Sequence, residues 1–243
     1  MSIFMRVALL GSTLIIPCMA QAITISDDFQ LTLSGEVVSD YRSRGQSQTL
    51  NDPAMQIGGT LTHSSGLYGV VWTSNVDFGL DTKTRQEIDY LAGYYFTFTE
   101  NVGLDVGYAK YVYENQGGLN YGETYAILNA YGWKFGTQYS DNFASDQVYV
   151  WNWLSYDTEL PGEVGLTLHF GNVDYKDDLL VSESGNTSQR YNEWSVKMSK
   201  KIFSLDWSLS YVDTDISKSE CNSLLGYDDV CSATLVAGVK KTF

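Results

Sequence analysis

Apolar and polar side chains alternate along this chain in segment after segment, each about ten residues long, close to the roughly 9–11 residues that carry a tilted strand across a bilayer. From Phe29 to Tyr41, the residues Phe29, Leu31, Leu33, Val37 and Tyr41 share one face, and Gln30, Thr32, Ser34, Glu36 and Asp40 share the other. A period of two is the period of a β-strand. Tyr68 to Phe78 repeats it, with Tyr68, Val70, Trp72, Val76 and Phe78 opposite Thr73, Asn75 and Asp77. So does Glu87 to Phe98, where Ile88, Tyr90, Ala92, Tyr94, Phe96 and Phe98 oppose Glu87, Asp89, Gly93, Tyr95 and Thr97. Further strands fall at 54–63, 104–113, 123–131, 133–140, 148–158, 164–173, 191–200, 205–214 and 232–243, twelve in all, with the number open by two because alternation is poorest over 123–158. Within 123–140, Tyr125 and Ile127 compete with Ala126 and Leu128 for the outer face, and the pattern does not assign it.

The connections sort by length. Ser64 to Gly66, Thr99 to Gly103, the turn around Gly132, Glu159 to Glu163 and Lys200 to Ser204 are short. Arg42 to Pro53, Gly79 to Gln86, Glu114 to Gly122, Asp141 to Gln147, Asp174 to Arg190 and Asp215 to Cys231 are longer and more polar. Strict alternation of short and long connections predicts an all-β fold, a transmembrane antiparallel up-and-down β-barrel of about 12 strands with both termini periplasmic. Aromatic residues suit a lipid-facing girdle. Phe29, Tyr68, Phe98, Trp133, Phe203 and Phe243 are expected at the short-turn rim, and Tyr41, Phe78 and Tyr90 at the other. Lys241 breaks the apolar face of the last strand where a long side chain can snorkel to the membrane edge. Phe243, following alternating apolar residues, resembles the C-terminal signal by which outer-membrane barrels engage the barrel-assembly machinery.

Composition narrows the setting. Arg6, the apolar run Val7 to Ile16 and the small residues of Ala20-Gln21-Ala22 read as a signal peptide over residues 1–22, leaving 23–243 as a single barrel domain. Cys18 lacks the small preceding residues of a lipobox. Removing residues 1–22 takes one basic and no acidic side chain and leaves a charge of −15. That charge disfavours nucleic acid as a partner. The two cysteines then left, Cys221 and Cys231, form an even pair in an exported chain, where a disulfide is the default. Catalysis lacks candidates: of the two histidines, His63 sits beside a short turn, and His169 has no Ser and Asp partner that the phasing names. The acidic loop at 174–190 lacks calcium-loop spacing. No cofactor or metal is expected.

The strand phases place Asp40, Arg42, Asn75, Asp77, Glu87 and Asp89 inward near the long-loop end, and Arg44 as well if the first strand extends that far, as candidate pore-lining residues. They would either brace the wall as ion pairs or read solute charge at a constriction. Ser39-Asp40-Tyr41, Arg44-Gly45, Ser47-Gln48, Pro53-Ala54, Gln56, His63-Ser64-Ser65-Gly66, Tyr68-Gly69, Trp72, Ser74 to Phe78 and Glu87-Ile88-Asp89 resemble the pattern of the TorF family of proposed outer-membrane porins. The likeness is dense from Val37 to Tyr95 and thins afterwards to strand spacing. It implies an outer-membrane barrel and a pore, and it supplies neither substrate nor catalytic residues. The expected function is passive diffusion of small hydrophilic solutes or ions through a narrow polar lumen, by a monomer in the outer membrane of a Gram-negative bacterium and in contact with its lipid. The alternative is a non-conducting barrel whose extracellular loops bind a surface partner.

Overall fold

Alternating side chains, abundant β-branched and aromatic residues and few prolines favour extended backbone, and that is what forms. The computed structural model describes residues 22–79, 82–143 and 146–243; the expected signal peptide lies outside them except for Ala22. Twelve long strands follow in chain order: β1 (Phe29–Val38), β2 (Ala54–His63), β3 (Leu67–Asn75), β4 (Gln86–Thr99), β5 (Val102–Tyr113), β6 (Tyr121–Ala130), β7 (Trp133–Phe143), β8 (Gln147–Leu160), β9 (Val164–Asp174), β10 (Arg190–Ile202), β11 (Leu205–Thr214) and β12 (Thr234–Thr242). Each pairs antiparallel with its neighbours in sequence. β12 returns to β1 over the register Gly238↔Val38 to Thr242↔Ser34 and closes the barrel. Phe243 and Leu33 exchange backbone hydrogen bonds of 2.8 and 3.2 Å at that seam, so the last residue completes the ladder. Closure leaves no long sheet edge unpaired. No helix among the described residues is long and apolar enough to cross a membrane; the one α-helix, α1 (Lys218–Leu225), lies in the last long connection.

The outer surface is apolar. Val37, Ile57, Val71, Phe96, Phe135, Leu154, Phe170, Met198, Leu209 and Leu235 are all exposed, one or more on almost every strand. Phe29, Phe98, Trp133, Phe203 and Phe243 are exposed at the short-turn end, as expected of a rim girdle, and Tyr90 is exposed toward the other end. On β6 the faces left unassigned by pattern resolve with Tyr125 and Ile127 buried inside and Leu128 outside.

Four expectations change. The third strand has the opposite phase: Tyr68, Val70, Ser74 and Val76 are buried in the interior, whereas Leu67, Val71 and Asn75 are exposed. Large apolar residues stand on both of its faces, so alternation does not say which face is lipid. Tyr68 therefore leaves the rim girdle. Tyr41 and Phe78 leave the other girdle and pack against a buried cluster inside the mouth. Finally, β7 and β8 run further than expected and leave only residues 144–146 between them, so the connection expected over Asp141 to Gln147 is short.

Candidate functional site

The chain does not continue outward after β1. It bends at Ser39 and turns into the bore, carrying residues 39–53 across the long-loop mouth. A short ladder pairs Arg42 with Ser47 and Ser43 with Gln46. Its tip is Arg44-Gly45, with φ of 48° and 80°, the two positive values that a tight hairpin turn of primed type requires. Gly45 is also required by space: a Cβ there would lie 2.3 Å from Thr214 Cγ2 on β11 and 3.0 Å from Glu193 Cβ on β10.

From this tip the Arg44 side chain reaches the wall opposite β1. Its Nη2 donates to Glu123 Oε1 on β6 at 2.6 Å and to Gln138 Oε1 on β7 at 3.1 Å. The guanidinium lies over the Tyr149 and Trp151 rings of β8, 4.9 and 4.7 Å from their centroids. The Tyr191 hydroxyl of β10 donates to the Arg44 carbonyl at 3.1 Å. A charge-assisted bond together with two ring faces makes a strong seat for one side chain. The hairpin is thus fixed to β6, β7, β8 and β10 at once.

Its root is fixed as well. The Asp40 carboxylate accepts from Arg42 Nε, from Ser47 Oγ at 2.6 Å and from Thr49 Oγ1 at 3.2 Å. Arg42 Nη1 donates to the carbonyls of Val230 at 2.8 Å and Ser232 at 3.3 Å, and Ser47 N donates to Val230 O at 2.8 Å. Those carbonyls flank Cys231, which is bonded to Cys221 of α1. The disulfide expected from the sequence therefore clips the segment on which the hairpin rests. Val76, Tyr113, Tyr121, Tyr149, Val173 and Tyr175 belong to one buried cluster that fills the mouth around it.

Of the other residues singled out in the sequence, Glu87 and Asp89 on β4 face the bore and are buried beneath the hairpin. Asn75 does not: its side chain is outside, accepting from Met55 N at 2.7 Å and donating to Pro53 O at 3.1 Å. Asp77 lies in the loop after β3, its half-exposed carboxylate 3.7 Å from Arg85.

Below the mouth the bore is uneven. On one side Tyr68 donates to Asp105 Oδ1 at 2.6 Å and touches the Tyr125 hydroxyl; a Cβ on Gly107 would stand 2.2 Å from that hydroxyl, so glycine makes the room for the ring. On the other side stand Lys134 and Asp157, 2.8 Å apart, and Lys240 and Glu36, 3.9 Å apart. Sequence reasoning missed this second set of charges: Lys240 stands directly opposite Glu36 only across the closing seam, a register that the alternation does not give.

His169 also gains partners that alternation alone does not name. Its Nδ1 lies 2.7 Å from Ser155 Oγ on β8, and its Nε2 lies 2.7 Å from Glu193 Oε1 on β10. An ionised carboxylate only accepts, so Nε2–H is the donor to it, and in the neutral imidazole Nδ1 is then the acceptor for the serine hydroxyl. The turn pairing Leu160 with Val164 sets Ser155 directly opposite His169, a relation that counting back from Pro161-Gly162 would have found. The set resembles a hydrolytic triad in composition only. Ser155 sits mid-strand with ladders on both sides, so its neighbouring backbone N–H groups are engaged and cannot stabilise an oxyanion.

The model of a family described as "Bacterial protein of unknown function (Gcw_chp)" matches residues 23–243. No curated protein matches by sequence. Among solved structures, the KdgM porin superposes with a TM-score of 0.54 at 9% identity, over 87% of this chain and 99% of that one. The KdgM porin in complex with disordered oligogalacturonate gives 0.52 at 8% identity, over 88% and 98%. At such identities the likeness is one of fold, a closed antiparallel barrel of porin type. The TorF resemblance rests on the sequence motifs alone.

Proposed function

We propose, from the premise that this chain belongs to the Gcw_chp family of bacterial proteins, that it is a monomeric outer-membrane channel for small hydrophilic solutes or ions, narrowed by its own first long loop. The observation that carries this reading is a polar bore inside an apolar wall, crossed at one mouth by a hairpin held through Arg44. Exposed apolar strand faces meet lipid, and rings at the short-turn rim meet the interface. Short turns and both termini then lie on the periplasmic side of a Gram-negative outer membrane, the long loops outside. Residues 1–22 direct export, and Phe243 at the seam serves recognition by the assembly machinery. Passage runs past the hairpin, with Asp40, Arg42, Arg44, Glu87 and Asp89 at its edge. The reading assigns no catalytic step to the Ser155, His169 and Glu193 set.

One observation favours a second reading. The mouth holds a buried apolar cluster braced by a disulfide, which suits a closed barrel whose loops bind a surface partner. Planar-bilayer recording of the refolded protein separates the two. Small, discrete conductance steps are expected for the channel, and a larger step when residues 42–47 are replaced by a short glycine-rich link. Silence from both proteins would favour the closed barrel.

A further inference from the structure

Beneath the hairpin, β4 presents two carboxyl groups to the bore. Glu87 and Asp89 are two residues apart on one strand, so their side chains leave the same face as near neighbours. They are 3% and 8% exposed. The Tyr113 hydroxyl donates to Glu87 Oε1 at 3.2 Å. Glu87 Oε2 and Asp89 Oδ1 are buried and have no hydrogen-bond partner.

A third carboxylate close by is in a different condition. Glu123 receives Arg44 on one oxygen and the Tyr111 hydroxyl on the other, at 2.6 and 2.9 Å. Arg44 makes its salt bridge with Glu123 and acts on Glu87 and Asp89 only through space; among the described residues no basic side chain makes a salt bridge with either of the two. Buried carboxylates are paired with cations or hold metal ions, and two that face each other share either a cation or a proton.

We propose that Glu87 and Asp89 form a binding site for a small inorganic cation in the bore. Carboxylate oxygens suit hard ions such as sodium and calcium. Aromatic residues stand beside the pair: Trp72 is opposite Asp89 on β3, Tyr113 opposite Glu87 on β5, and Tyr41 from the root of the hairpin meets Trp72 edge-on at 5.4 Å. The site's role in permeation rests on the channel reading above and gives that channel its ion class, cations over anions. Binding itself does not depend on conduction.

The test is thermal unfolding of the refolded protein in detergent, in sodium chloride, in calcium chloride and in choline chloride at matched ionic strength. A cation that binds only the folded state raises the midpoint. Sodium or calcium should raise it above choline by about 2–4 °C once the cation stands at about five times its dissociation constant, and Asp89→Asn and Glu87→Gln should each abolish the difference. Either variant alone suffices if the other fails to fold. Equal midpoints in all three salts overturn the site and leave the pair sharing a proton; an unchanged salt response in the variants overturns it too. In bilayers under a potassium chloride gradient, Asp89→Asn should shift the reversal potential toward chloride. Absence of any conductance in the unsubstituted protein would defeat the channel reading and leave the unfolding result to decide the site.

Discussion

Arg44 holds Glu123 across the full width of the barrel, and the effect of losing it follows from how deeply that partner sits. The Glu123 side chain is 1% exposed and that of Arg44 13%. Removing one member of a buried pair leaves the other uncompensated, at a cost of about 3–5 kcal/mol. Arg44→Ala should therefore lower the thermal midpoint and, by freeing the hairpin tip, raise single-channel conductance. Adding Glu123→Gln should restore most of the midpoint while conductance stays high, because the stranded charge is gone but the seat is still empty. A double variant as unstable as the single one would show that the pair is not what Arg44 supplies. At this scale the sequence was informative about residue type more than direction. Counting along strands points Glu87 and Asp89 inward, and both are buried there; Asp40 and Arg44 reach the interior by another route, because β1 ends at Val38 and the chain turns in as a hairpin. The same count points Asn75 inward, yet it is outside, since Tyr68, Val70 and Trp72 on its strand turn their bulk to the bore.

At the scale of elements, strand positions were legible to within three residues at either end, because turns interrupt the alternation at regular places. Their phase was less so. A barrel of this size is wide enough to have an interior and narrow enough for rings to fill part of it, so an apolar face can point either way. Nor was the inward turn of the first long loop legible: Arg42 to Pro53 is long and polar, a pattern that leaves open whether it points away from the bore or folds into it, and only its contacts with Glu123, Gln138 and Val230 reveal where it goes. The Cys221–Cys231 bridge encloses a ten-residue separation, and a loop of that order contributes about 2–3 kcal/mol. Since its contribution is local, Cys221→Ser with Cys231→Ser should leave barrel formation intact, measured as the heat-modifiable shift on a gel, while loosening Arg42 and Ser47 from Val230. More frequent open events in bilayer recordings are expected; gating identical to that of the oxidised protein would detach the bridge from the hairpin.

For the molecule as a whole, closure is the event that matters. The seam between β12 and β1 has fewer paired residues than most neighbouring ladders and ends on Phe243, whose backbone exchanges two hydrogen bonds with Leu33. Deleting Phe243 removes those bonds and the terminal ring together. Assembly in vivo, followed by pulse-chase and the appearance of the folded gel form, should slow severalfold, while the refolded product keeps its β-sheet circular dichroism. Unaltered assembly kinetics would remove the terminal residue from any part in recognition.

The hairpin is synthesised early and can be seated only late. Its tip and root take hold of Tyr191, 147 positions away, and of Val230 and Ser232, 188 and 190 positions away, groups that exist in place only once the final strands have been laid down. Contacts so distant along the chain form slowly. An unfinished barrel of this sequence therefore has an open bore, and occupation of the bore by residues 39–53 marks the moment at which the wall is complete.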